Sequence, residues 1–119
     1  MHTRHPDDIA PVTKPDGSQV RELAGNFAGG VSQHSVAHIT LPPGKSAHRH
    51  YHPSVEESYI LLAGKAQVEI GGEIHEARVG ELIAIPPPQT HTIINKGDED
   101  VVFLAICSPA WTPDCSVFE

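Results

Sequence analysis

His48, His50 and His52 stand on alternate positions of the stretch HRHYHPSVEESYILLAG (48 to 64), and the adjacent carboxylates Glu56 and Glu57 follow shortly after. In an extended strand, residues two apart share a face at intervals of roughly 6.5 to 7 Å. A first-row metal ion bonded to imidazole nitrogen at about 2.0 to 2.1 Å reaches two neighbours of such a row and hardly the third. One histidine is left over, and geometry alone allows either end. On an inward face the row is costly to desolvate without a charged partner or an ion, whereas on an outward face it would simply be solvated. Isolated His2, His5 and His75 read as ordinary polar residues.

The elements that must position these groups are short. Candidate strands run over 19–23, 30–41, 47–52, 57–63, 66–70, 73–77, 81–85, 91–95 and 101–107, most of them bounded by glycine, proline or acidic residues. Gly71 and Gly72, between AQVEI and EIHEA, mark a two-residue hairpin, whose positive φ values glycine takes without strain. Many short strands with no helical periodicity predict an all-β sandwich or barrel. Residues 1–18, polar and broken by Pro6, Pro11 and Pro15, read as an N-terminal arm, 19–108 as the barrel and 109–119 as a C-terminal tail. A chain of 119 residues suits one such domain.

Composition narrows the partners. The formal charge is −7 and the eight Lys and Arg are scattered, which argues against a groove that tracks nucleic-acid phosphates. No apolar run is long enough to span a bilayer, and MHTRHPDDIA lacks the hydrophobic segment of a secretory signal. A soluble, cytoplasmic protein with a small-molecule substrate and no membrane partner is expected. In that compartment Cys107 and Cys115 are expected to be free thiols, with Cys107 packed inside the last strand.

Spacing beyond the histidine row sharpens the reading. Five residues separate Gly44 from His50, one separates His50 from His52, four lead on to Glu57 and six to Gly64. Later, five separate Gly80 from Pro86, one separates Pro86 from Pro88, two lead on to His91 and three to Asn95. This pair of segments resembles the two motifs of the cupin superfamily, with the short Gly64 to Gly80 spacer of its small bacterial members, over roughly residues 20 to 108. The resemblance implies a single-domain, all-β jelly-roll barrel in which His50, His52, Glu57 and His91 hold one divalent transition metal (Fe, Mn, Ni or Zn). It leaves His48 as a pocket neighbour or a surface residue, and it implies a homodimer. Glu56 would point away from Glu57. The chain departs from the family pattern at Pro88, where glycine is usual; proline fixes φ at about −65°, so the turn in PPPQTH must differ. Side chains from separate strands converge on one point only where the sheet curls, and Gly44, Gly64 and Gly80 suit its corners.

Other residues are candidates for the chemistry around such an ion. His34, Val36, His38 and Thr40 share one face of the 30–41 strand; were it inward, His34 and His38 would serve substrate contact or proton transfer, as would His48. Tyr59 has the parity of Glu57, so its hydroxyl is a candidate for the cavity, with simple core filling as the alternative. Gln89 borders the second motif, and Trp111 is expected to staple the tail to the barrel or a subunit. Phe103 and Cys107 share one face of the last strand and Leu104 and Ile106 the other, so both faces should be buried.

Three imidazoles and one carboxylate leave positions open on an octahedral ion. The expected function is a metal-dependent enzyme acting on a small oxygen-rich or aromatic molecule, with dioxygenase-like chemistry favoured. A non-redox isomerase, cyclase or lyase using the ion as Lewis acid is the alternative, and a metal-dependent binding module without turnover is another. A storage or structural member would have lost ligand residues, and none is missing.

Overall fold

Alternation along the strands gives each a buried face, and two sheets close over those faces. A computed structural model describes residues 1–119. Its strands are β1 (Val12–Thr13), β2 (Gln19–Ala24), β3 (Ser35–Leu41), β4 (His50–Tyr51), β5 (Glu56–Ala63), β6 (Ala66–Ile70), β7 (Glu73–Ala77), β8 (Leu82–Ile85), β9 (His91–Asn95), β10 (Val101–Ser108) and β11 (Val117–Phe118). One sheet has the order β1-β2-β3-β10-β5-β8 and the other β11-β4-β9-β6-β7, and every paired neighbour runs antiparallel. The fold is all-β, as the strand spacing predicts, and its strands close into the jelly-roll barrel that the cupin resemblance implies. No helix is long and apolar enough to cross a membrane.

The inward faces of both sheets meet in one core. Leu41, Leu61, Val68, Ile93 and Val101 are almost wholly buried, together with Tyr59, Ile85 and Phe103. Each large aliphatic side chain removed from water contributes about 1.5 to 3 kcal/mol. The core fills one end of the barrel only. Toward the other end Ala37 and Ala105 pair across β3 and β10, and two small side chains where larger ones would fit leave a cavity.

Turns follow from local chemistry. Ile70 pairs with Glu73, so Gly71 and Gly72 alone form the loop, at φ +54° and +88°. Gly64 adopts φ +89°, and a Cβ there would lie 2.6 Å from the Asp100 carbonyl oxygen, so this corner excludes any side chain.

The structure shortens two expected strands. The 30–41 run enters the sheet only at Ser35, because Gly25 and Gly29 bridge each other and Gly30 takes φ +83°, which holds residues 25–30 in a loop. The 47–52 run is ladder only at His50–Tyr51: the His48 N–H donates to Asp16 Oδ2 at 3.1 Å instead of to a strand, and Pro53 cannot extend the pairing. The terminal segments carry more structure than their composition suggests. Residues 6–8 form a 3-10 turn, β1 adds to the edge of one sheet, and β11 adds to the edge of the other, against β4.

Candidate metal centre

Register brings the ligand residues together. His50 on β4 lies directly opposite His91 on β9, so their side chains share a face, with ring centroids 4.3 Å apart. His52 follows two residues on, and its ring lies 4.9 Å from that of His50. Glu57 comes from the facing sheet, where β5 is flanked by β8 and β10. The donor atoms of His50, His52, Glu57 and His91 all lie within 4.8 Å of one another, so the centre ties the two sheets together.

The side chains fit a cation. Donors bonded to a first-row ion at about 2.0 to 2.2 Å stand roughly 3 to 4.4 Å apart, so small side-chain adjustments would close the set. Each histidine has its Nδ1 committed elsewhere: His50 donates to the His48 carbonyl at 2.7 Å, His52 to the Cys115 carbonyl at 3.0 Å and His91 to the Gln89 carbonyl at 3.0 Å. That arrangement selects the tautomer whose Nε2 presents a lone pair to the centre. His52 Nε2 and His91 Nε2 then face Glu57 Oε1 at 3.2 and 2.9 Å. Lone pairs so close repel unless a proton or a cation lies between them. A divalent ion is the group this donor set suits, and mixed imidazole and carboxylate ligation accepts Fe(II), Mn(II), Ni(II) or Zn(II).

Electrostatics point the same way. Burial alone would raise the Glu57 carboxyl, but where protons rather than an ion bridge the Nε2–Oε1 contacts, the hydrogen bonds from His52 and His91 outweigh burial and hold the pKa at about 2, so the group is a carboxylate at neutral pH. Burial pulls His50 down, keeping it a neutral ligand. Burial acts likewise on His52, but the Glu57 hydrogen bond and charge win and its pKa rises. The second Glu57 oxygen accepts from the Cys107 thiol at 3.2 Å, and burial pushes that thiol far up, so it stays protonated and donates. Sequence reasoning treated Cys107 as packing alone; its link to Glu57 needed the β5–β10 register, in which the two residues are paired.

His50, His52 and Glu57 open onto a cavity of about 740 Å³. Its walls are mainly apolar, with Val20, Ala37, Ile39, Phe103 and Ala105 from one sheet. His48 lies at the exposed mouth, edge-on to Phe118 with ring centroids 6.2 Å apart. Tyr59 both lines the cavity and packs on Phe103 at 4.8 Å, and burial keeps its hydroxyl protonated.

Other expected residues fall elsewhere. Ala37, Ile39 and Leu41 take the inward face of β3, so His38, one position out of phase, faces away from the cavity. Its neighbours are Arg21, Asp7 and His5, and its Nδ1 is buried without a partner. His34 lies before β3, exposed and outside the cavity lining. These two positions correct the expectation of an inward His34–His38 face: the loop that delays β3 removes one, and strand parity turns the other outward. Glu56 is exposed, as parity requires, and Gln89 contributes its carbonyl to His91. The Pro87–Pro88 peptide bond in this loop is cis. Three features were missed in the sequence: β11, the Cys115 carbonyl, and the Phe118 ring 5.4 Å from that of His50. All depend on where the tail folds back, which no local signal states.

A family model for the cupin domain matches residues 37–107. An uncharacterized protein of Methanocaldococcus jannaschii is 35% identical over 107 residues, covering 89% of this chain and 85% of its own length. The tetracenomycin polyketide synthase protein TcmJ of Streptomyces glaucescens is 31% identical over 90 residues, or 76% of this chain and 60% of its own. Among solved structures, a predicted oxalate decarboxylase of Thermotoga maritima superposes with a TM-score of 0.79 at 25% identity, covering 92% of this chain and 99% of that one.

Proposed function

The chain belongs to the cupin family, and from that premise we propose that it is a metal-dependent enzyme acting on a small aromatic molecule rich in oxygen, by a dioxygenase-like reaction. One observation carries the reading: four convergent metal donors open onto a deep cavity whose walls are mostly apolar. The name of the Streptomyces relative points to polyketides, which are oxygenated and often ring-forming, and such walls suit them. Oxalate, named in the Thermotoga neighbour, is a small dianion; it would leave most of about 740 Å³ empty beside three lining carboxylates, Asp16, Glu22 and Glu57.

When bound, a divalent transition ion supplies Lewis acidity and, for Fe(II), Mn(II) or Ni(II), one-electron chemistry with dioxygen. The protein supplies the rest. Val20, Ile39 and Phe103 exclude water and pack a ring, while Ala37 and Ala105 set the width of the slot. The protonated Tyr59 hydroxyl offers a hydrogen bond to a substrate oxygen. His48, at the mouth and in solvent, carries protons between cavity and bulk water.

A non-redox isomerisation or cyclisation is the second reading, favoured by that same placement of an imidazole beside the ligand strand. The deciding experiment identifies the metal by elemental analysis and follows dissolved oxygen with catechols, diketones and flavonols. Iron with substrate-dependent oxygen uptake supports the first reading. Zinc with product formed and no oxygen consumed supports the second. Ligand bound without turnover would make the protein a binding module, and no metal above trace would end every enzyme reading.

A further inference from the structure

The cavity rim holds a single cation. Lys14 is the only Lys or Arg among the residues lining it, and its Nζ stands 5.0 Å from the centre of the Trp111 ring. Both residues are anchored through their backbones. The Lys14 N–H donates to the Ser18 carbonyl at 2.8 Å and the Lys14 carbonyl accepts from the Gly17 N–H at 2.9 Å, closing the turn KPDG with Gly17 at φ +94°. The Trp111 N–H donates to Ser35 Oγ at 2.9 Å, its carbonyl accepts from Asn26 Nδ2 at 3.1 Å, and Phe27 packs against the indole at 5.9 Å.

The ammonium nevertheless meets no carboxylate. The ion pairs of the protein join His5 to Asp7, Arg49 to Glu69, His75 to Glu81, and His52 and His91 to Glu57. The acids that line the cavity are already engaged. Asp16 accepts from Ser18 and from the His48 N–H, Glu22 accepts from the N–H groups of Phe27 and Ala28, and Glu57 belongs to the metal centre. A cation–π contact orients an ammonium while leaving its N–H donors free. At the rim of a mainly apolar cavity, free donors on a positive charge that no acid pairs call for an anionic oxygen.

Resting on the reading of this cavity as the substrate site, we infer that Lys14, oriented by Trp111, selects aromatic substrates that carry an acidic oxygen group, a carboxylate or an ionised phenol, at the cavity rim. The neighbouring Trp111 and Phe27 rings supply apolar contact for the ring that bears it.

The probes are 2-naphthoate and its neutral isostere 2-naphthamide, titrated calorimetrically into the full-length protein as purified. The unsubstituted protein is expected to bind the naphthoate about tenfold or more tightly than the amide. Lys14→Met should abolish that preference by weakening naphthoate alone, and Lys14→Arg should restore it. A preference that survives Lys14→Met overturns the inference, because the metal or another group then takes the anion. Equal binding of both probes to the unsubstituted protein also overturns it and leaves the cavity reading in place, whereas binding of neither would bring down both.

Discussion

His52 and Cys115 are 63 positions apart, yet the imidazole Nδ1 of the first donates to the backbone carbonyl of the second at 3.0 Å. The candidate metal centre therefore leans on a segment that contributes none of its four donor residues. Ser116 Oγ stands 3.3 Å from the same nitrogen, and β11 pairs Phe118 with His50 in register, so the last residues hold two of the four ligands from outside.

Removal of residues 114–119 is accordingly expected to weaken zinc binding by about 10- to 100-fold, the usual effect of losing the groups that orient a ligating histidine. The barrel should survive, since every member of its core cluster lies between Leu41 and Ala105. Competition against a chelating dye gives the affinity, and circular dichroism on heating gives the fold. Unchanged affinity in a folded truncated chain would show that the tail contact is incidental.

The tail also marks how far the sequence could be read. The convergence of His50, His52, Glu57 and His91 was legible in motif spacing that resembles the cupin pattern, since strand parity alone left the choice among the histidines open, and Gly71–Gly72 was legible because two positive φ values leave few alternatives. What escaped depends on tertiary contact. The Cys115 carbonyl is a backbone atom that any residue would provide, and Cys107 gains its role only from the β10–β5 register. His38 misled for a related reason: its chemistry suits catalysis, but alternation alone does not say which face of β3 turns inward, and tertiary packing put Ala37, Ile39 and Leu41 there. The KPDG turn falls in the stretch read as an N-terminal arm, and only its contacts with Ser18 and His48 and its place in the cavity lining show it as the rim.

Without metal, the Glu57–His52 pair should contribute most to stability in mildly acidic solution, whereas His50 and His38, both lowered from 6.5, favour the fold less as pH falls below that value. Glu57 falls from its ordinary 4.5 to about 2 on folding, so its contribution is complete above about pH 4.5 and is lost as pH drops toward 2. His52 is shifted upward from 6.5, so its contribution is complete below 6.5 and is lost as pH rises through the raised value. Urea unfolding in a chelator across the pH range should trace this dome. Glu57→Gln should flatten both flanks, because the Glu57 carboxylate is also what raises His52, whereas His52→Gln should flatten chiefly the alkaline one. A Glu57→Gln profile parallel to that of the unsubstituted chain would contradict the coupling.

His38→Leu should leave metal affinity unchanged and stability equal to or up to about 1 kcal/mol above that of the parent, because it deletes a buried nitrogen with no hydrogen-bond partner. Burial and the nearby Arg21 already depress the His38 pKa, so little charge is lost with it at neutral pH. Thermal melts with and without zinc test this, and a loss of metal binding would restore His38 to the site.

His48→Ala separates a ligand from its neighbour. What His48 gives the centre is its carbonyl, which fixes His50 Nδ1 at 2.7 Å, and alanine keeps that carbonyl. Its ring, exposed at the mouth and set edge-on to Phe118, touches no ligand donor through a hydrogen bond. Metal occupancy should therefore stay close to that of the parent while turnover falls about 100-fold or more, the scale of a lost proton carrier. His52→Ala and Glu57→Ala should instead strip the metal, since His52 Nε2 and the Glu57 carboxylate are donors of the set itself. Elemental analysis of the three variants, read beside their rates on one accepted substrate, distinguishes the roles: equal metal loss in all three would mean that His48, and not its neighbours alone, belongs to the coordination sphere.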